Sequence, residues 1–199
     1  MSGICVFGAS SSNIDHKYTE EAFELGALLA ENNMELVFGG GAVGLMGAVA
    51  AGATAQGGRI TGIIPKKLNQ PGIPYERCTN LIEVEDMSER KQLMVSMSCG
   101  YVVLAGGLGT LDELFEVLTL KQLGYIDAPI VIINTNGFYD NLLAHINRII
   151  SDGFAHKRYL RLFSVASCAQ DALKLLNNYA SEELPDKIAE ALSEKKWLT

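Results

Sequence analysis

Seven short apolar runs punctuate the chain, "ICVFG", "ELVFG", "RITGII", "LIEV", "YVVLA", "PIVIIN" and "FSVA". Most lack the strict polar alternation of a half-exposed strand, so they read as strands buried on both faces. Between them apolar positions recur three or four residues apart, which predicts helices around 17–32, 44–56 and 139–151, and others starting near 87, 111 and 169. A long loop through Pro65, Pro71 and Pro74 interrupts the alternation once. Strand and helix in repeated succession imply an α/β domain, a parallel sheet with helices on both faces. After Pro185, "DKIAEALSEKKWLT" predicts a final amphipathic helix, starting from about 183, that packs on the domain or on a partner chain.

In such a sheet, ligands bind where loops leave the C-terminal ends of the strands. Three of those loops are rich in small residues: "GASSS" (8–12), "GGGAVGLMG" (39–47) and "GGLGT" (106–110). Each joins a strand to a helix, so backbone N–H groups and helix N-termini can converge there on an anion. Gly39, Gly41 and Gly44 fit the dinucleotide pattern G-x-G-x-x-G, but after the second strand rather than the first. The next strand ends at Pro65, Lys66 and Lys67, without the acid that would hold a ribose diol. Close packing at Gly44 and Gly47 and contact with a ligand both account for the stretch. A Walker phosphate loop is excluded, since no G-K-S or G-K-T occurs.

Two acidic segments flank helix starts. Thr110 and Glu113 have the T-x-x-E spacing of a capping box. With Leu111, Leu114, Phe115 and Leu118 as the core stripe, Glu113 projects roughly opposite, toward the strand-end cleft or solvent. Asp112 suits favourable charge near a helix start. In "EDMSERKQLM", Asp86 and Glu89 again fit a cap, whereas Arg90 and Lys91 lie where the helix dipole disfavours cations. A bound phosphate, or else Glu85 or Glu89, would compensate them.

Composition narrows the reading further. A net charge of -7 argues against a general nucleic-acid or anionic-membrane surface, so any phosphate must be caught locally. Cys5, Cys78, Cys99 and Cys168, with His16, His145 and His156, show no metal-ligand spacing, and reduced, mostly buried thiols in a cytoplasmic protein are expected. No apolar run approaches the roughly 18 residues of a membrane span.

With "SERK" ahead of "GGLGTLDE" and "GGGAVGLMG" before both, the chain resembles the LOG family, the cytokinin riboside 5'-monophosphate phosphoribohydrolases often mislabelled as lysine decarboxylases. The resemblance runs from "ICVFGASSS" to "DGF". It implies a single-domain Rossmann-like fold, a homodimer, and a cofactor-free, metal-free hydrolysis of a nucleoside 5'-monophosphate to free base and ribose 5-phosphate. By the same resemblance Arg90 and Glu113 take the catalytic positions. Lys91, Gly106, Gly107, Gly109, Thr110 and Thr119 bind substrate, as do Ser10 and Gly41. Departures from the family pattern are Ala105 for proline, Ser88 for histidine, Leu120 for tryptophan, and an unalignable loop "KKLNQPGIPYERCTN".

The chemistry agrees with the residues. Cleaving a glycosidic bond builds positive charge on ribose, which a carboxylate beside the anomeric carbon stabilises. A lysine decarboxylase would need a Schiff-base lysine for pyridoxal phosphate, and no lysine here has that setting. A nucleosidase of broader range, acting on AMP, and a non-enzymatic nucleotide carrier or sensor are the alternatives.

Overall fold

The computed structural model describes residues 3–181. Seven parallel strands form one sheet: β1 Gly3–Phe7, β2 Glu35–Phe38, β3 Ile60–Pro65, β4 Asn80–Val84, β5 Ser98–Val103, β6 Ile130–Ile133 and β7 Ser164–Ala166. Among the described residues an α-helix follows every strand except β3: α1 His16–Glu31, α2 Gly44–Ala55, α3 Met87–Ser96, α4 Leu108–Gln122, α5 Asp140–Ser151 and α6 Ala169–Asn177. The expected parallel sheet with helices on both faces is therefore the observed one. The predicted C-terminal helix lies outside the described residues.

Alternation along β1 explains the two layers. Ile4 and Val6 point into a core shared with α1, α2 and α6, built on Leu25, Leu29, Leu36, Phe38 and Val49. Cys5 and Phe7 point the other way, into a core with α3 and α4 that includes Val37, Ile63, Met94, Tyr101 and Leu114. Both faces of the central strands are covered, which is why their sequences read as continuous apolar runs. Between α1 and α2 the packing is close enough that a Cβ on Gly26 would lie 1.9 Å from the Val49 carbonyl oxygen.

The strand order is β4-β3-β2-β1-β5-β6-β7. The chain moves outward from β1 to the β4 edge, then crosses back by α3 to place β5 on the other side of β1. The helices after β1 and β5 consequently pack on opposite faces of the sheet, which leaves a crevice at the switch in strand order.

Helix α4 starts three residues before the expected position near 111. Gly107 is its N-cap, in an extended conformation with no side-chain cap bond, so Thr110 sits inside the first turn and forms no capping box with Glu113. The core stripe shifts accordingly: Thr110, Glu113, Leu114, Val117, Leu118 and Lys121 are buried, while Phe115 is 42% exposed. Glu113 therefore lies on the buried side of α4 and not opposite it. The thiols also differ from expectation, since only Cys5 is fully buried and Cys99 is exposed. Among the described residues no helix is long and apolar enough to cross a membrane.

Candidate active site

At the switch point lies a cleft of about 620 Å³, within the usual range of small-molecule sites. All three small-residue loops reach it: Gly8, Ser10 and Ser11 after β1, Gly39 and Gly41 after β2, and Gly107, Gly109 and Thr110 after β5. Backbone bonds lock them together. The Ala9 N–H donates to the Ala105 carbonyl at 3.0 Å, and the Leu45 N–H donates to the Ala9 carbonyl at 2.8 Å. Gly44, at φ +63°, allows this approach, because a Cβ there would lie 2.5 Å from the Ser11 carbonyl oxygen. Gly44 and Gly47 thus serve packing, while Gly41 faces the cleft.

Beneath these loops Arg90 and Glu113 meet. Asp86 caps α3 by accepting from the Glu89 N–H at 2.9 Å, and the Glu89 carboxylate accepts from the Glu85 N–H at 2.8 Å. Both acids are thereby committed to the helix start. Arg90, one turn on, donates from Nη1 to Glu113 Oε1 at 2.9 Å and from Nε to the Ile63 carbonyl at 3.2 Å. Glu113 is only 8% exposed. Burial pushes its carboxyl above the ordinary range, and the Arg90 charge and hydrogen bond oppose that shift without cancelling it.

Other expected residues stand elsewhere. Lys91 does not line the cleft; its Nζ is held 3.0 Å from Asp112 and 2.7 Å from Glu116, which ties α3 to α4. Those two hydrogen-bonded carboxylates, Glu116 first, hold the Lys91 ammonium above its usual pKa. Thr119 is exposed on the outer side of α4, its hydroxyl donating to the Phe115 carbonyl at 2.7 Å, so one chain does not bring it to the cleft. Gly106 lies behind the turn, where a Cβ would meet Thr110 Oγ1 at 2.1 Å. Its part is to let Thr110 pack.

Sequence reasoning missed the apolar wall. Val43, Leu68, Ile73, Met87 and Leu108 line the cleft although all are more than 40% exposed, and Leu108 reaches 87%. The unalignable loop supplies two of them. It is pinned to the glycine turn by an Ala42 N–H bond to the Ile73 carbonyl and a Tyr75 N–H bond to the Gly40 carbonyl. Proline and glycine marked this segment as a loop, but nothing local to it encodes its return to residues 40–42.

A parallel sheet whose switch-point cleft combines glycine turns with a buried guanidinium–carboxylate pair defines a Rossmann-like α/β protein. The comparisons place it more narrowly. Residues 46–176 match a family model described as "possible lysine decarboxylase". The cytokinin riboside 5'-monophosphate phosphoribohydrolase LOG1 of Arabidopsis thaliana is 37% identical over 98% of this chain and 89% of its own. LOG2 of the same plant is 39% identical over 88% of this chain and 83% of its own. The chain belongs to the LOG family. Among solved structures, the molybdenum cofactor binding protein of Rippkaea orientalis superposes with a TM-score of 0.70 at 21% identity, covering 88% of this chain and 95% of that one. That likeness shows a shared fold.

Proposed function

We propose that this protein hydrolyses the N-glycosidic bond of cytokinin riboside 5'-monophosphates, with AMP as a further substrate, to free base and ribose 5-phosphate. The observation that carries the reading is the buried Glu113 carboxylate, held by Arg90 in a cleft lined by two glycine turns. Water adds to C1′ as the C1′–N9 bond breaks; the electron pair leaves with the base, and the water's proton passes by way of Glu113 to solvent or the base. Glu113 serves twice, stabilising the positive ribose and orienting the water. Arg90 keeps that acid ionised more readily than burial alone would allow.

The 5'-phosphate has a fitting partner in the α4 N-terminus. Its first N–H groups lack a side-chain cap, and a Cβ on Gly107 or Gly109 would meet nothing within 4 Å beyond the adjoining backbone. The apolar wall of Val43, Leu68, Ile73, Met87 and Leu108 suits a purine with a hydrocarbon N6 substituent. Decarboxylation of lysine has no support in this cleft, because no lysine is among its lining residues to form a Schiff base.

A homodimer fits the outer side of α4, where Phe115 and Thr119 are exposed one turn apart. Free thiols at Cys5, Cys78, Cys99 and Cys168 suit a reducing cytoplasm. The test is incubation with isopentenyladenosine monophosphate and with AMP, followed by chromatography of released base. Release from either supports hydrolysis, and its ratio sets the substrate range. Tight binding of both without release would instead identify a carrier.

A further inference from the structure

We propose that Gly39 is a positioning residue: its missing side chain opens the slot in which the Arg90 guanidinium lies against Glu113. A Cβ at position 39 would stand 1.9 Å from Arg90 Nη2, 3.1 Å from Cζ and 3.5 Å from Nε. Apart from the chain neighbours of Gly39, those three atoms are the nearest, so the guanidinium is what a side chain there would meet first. Backbone conformation does not demand glycine here. Gly40 and Gly44 have positive φ, whereas Gly39 does not. The requirement is therefore one of volume alone.

The slot has three walls from three separate parts of the chain. The Ile63 carbonyl of β3 accepts from Nε at 3.2 Å, and Glu113 of α4 accepts from Nη1 at 2.9 Å. The Gly39 backbone, just past β2, closes the side on Nη2. A guanidinium is planar and rigid, so these two bonds fix its whole outline. A methyl group at 39 cannot be met by bending one atom aside. It must turn the group out of the slot, and with it goes the cation that stabilises the Glu113 carboxylate. Because Arg90 is the end of a flexible chain, the sheet itself need not move.

The role in turnover rests on the hydrolytic reading above; the role in seating Arg90 does not. Both are tested with Gly39→Ala, Arg90→Ala and the double variant, by following the Glu113 carboxyl in a ¹³C NMR titration, thermal unfolding, and base release against pH. Gly39→Ala is expected to unfold within a few degrees of wild type. Its Glu113 midpoint should rise by about 1 to 3 pH units, the usual influence of an adjacent cation. The acidic limb of kcat/KM should rise with it. In the Arg90→Ala background, adding Gly39→Ala should move the Glu113 midpoint no further, since no guanidinium remains to displace.

An unchanged Glu113 midpoint in Gly39→Ala, or a shift that adds in full to that of Arg90→Ala, would overturn the proposal. Should Gly39→Ala alone fail to fold, the double variant decides: recovery of folding supports the slot, and continued failure refutes it. If wild type releases no base from either nucleotide, hydrolysis is wrong, yet the titration still decides whether Gly39 seats Arg90.

Discussion

Replacing Glu113 with Gln removes the charge and keeps the shape, which separates a catalytic carboxylate from a structural one. Burial raises the Glu113 pKa in the folded protein despite Arg90, so the folded state holds the proton more tightly than the unfolded chain. Wild type consequently loses stability as pH climbs from the ordinary carboxyl range through the raised folded value, and the loss is complete above both. The Gln variant is free of that loss. Its amide oxygen still accepts from Arg90, and the Ile63 carbonyl still holds Nε. At pH 7 it should unfold at the wild-type temperature or a few degrees higher, where about 1 kcal/mol corresponds to roughly 2–4 °C for a domain of this size. Turnover is another matter. Without a base and a negative charge beside C1′, release of base should fall by about 10²–10⁴-fold, a barrier increase of about 3–5 kcal/mol. The assay pairs chromatographic release of base with thermal unfolding across pH 4–8. A variant that keeps more than about a tenth of the wild-type rate per folded molecule would refute the catalytic role. A Tm lower by more than roughly 8 °C would instead mark the Arg90–Glu113 pair as chiefly structural.

Gly109→Ala places a methyl in open space within the first turn of α4, so it should stabilise the fold by about 0.5–1 kcal/mol while raising KM at least tenfold, seen by thermal unfolding and initial rates. Gly106→Ala should do the reverse, lowering Tm because its Cβ meets Thr110 Oγ1 at 2.1 Å. Lys91→Met breaks two ion pairs to α4 and should cost about 1 kcal/mol, with KM changing less than about threefold; a tenfold rise in KM with Tm unmoved would return Lys91 to the substrate. Ile73→Ser should lower kcat/KM for the N6-isopentenyl nucleotide about tenfold, equivalent to about 1.4 kcal/mol of lost apolar contact, while the value for AMP stays level.

Strands were legible because both faces of the sheet are covered, leaving long apolar runs such as "IVII" in β6. The start of α4 was not. Thr110 and Glu113 imitate a capping box, and Gly-Leu-Gly reads as loop, but the helix begins at Leu108 with Gly107 as its N-cap and leaves its first N–H groups without a side-chain cap. Phe115 was misplaced for a related reason, since the apolar count treats every large hydrophobe as core while the surface of α4 carries some of its own. The local fate of Asp86 and Glu89 followed from spacing alone, because a cap is a contact between near neighbours. Arg90 and Glu113 are 23 residues apart, and Arg90 and Ile63 are 27 apart. No local pattern encodes those contacts; the resemblance to a family supplied the first pair and was silent on the second.

The strand order explains why one arginine can serve so many neighbours. Helix α3 carries the chain from the β4 edge back to β5 and packs on β3 as it crosses, with β2 next in the sheet. A side chain leaving its first turns toward the sheet must therefore pass β3 and the end of β2 before it meets α4. Arg90 does so, touching the Ile63 carbonyl, the Gly39 backbone and Glu113 in that order. Its length is matched to the crossover, and lysine, with one ammonium in place of a planar fork, could satisfy Glu113 only by releasing Ile63. Arg90→Lys should therefore keep the charge but lose the geometry, lowering kcat more than Tm. Equal rates for the two residues would show that charge alone, and not the seat, is what the site requires.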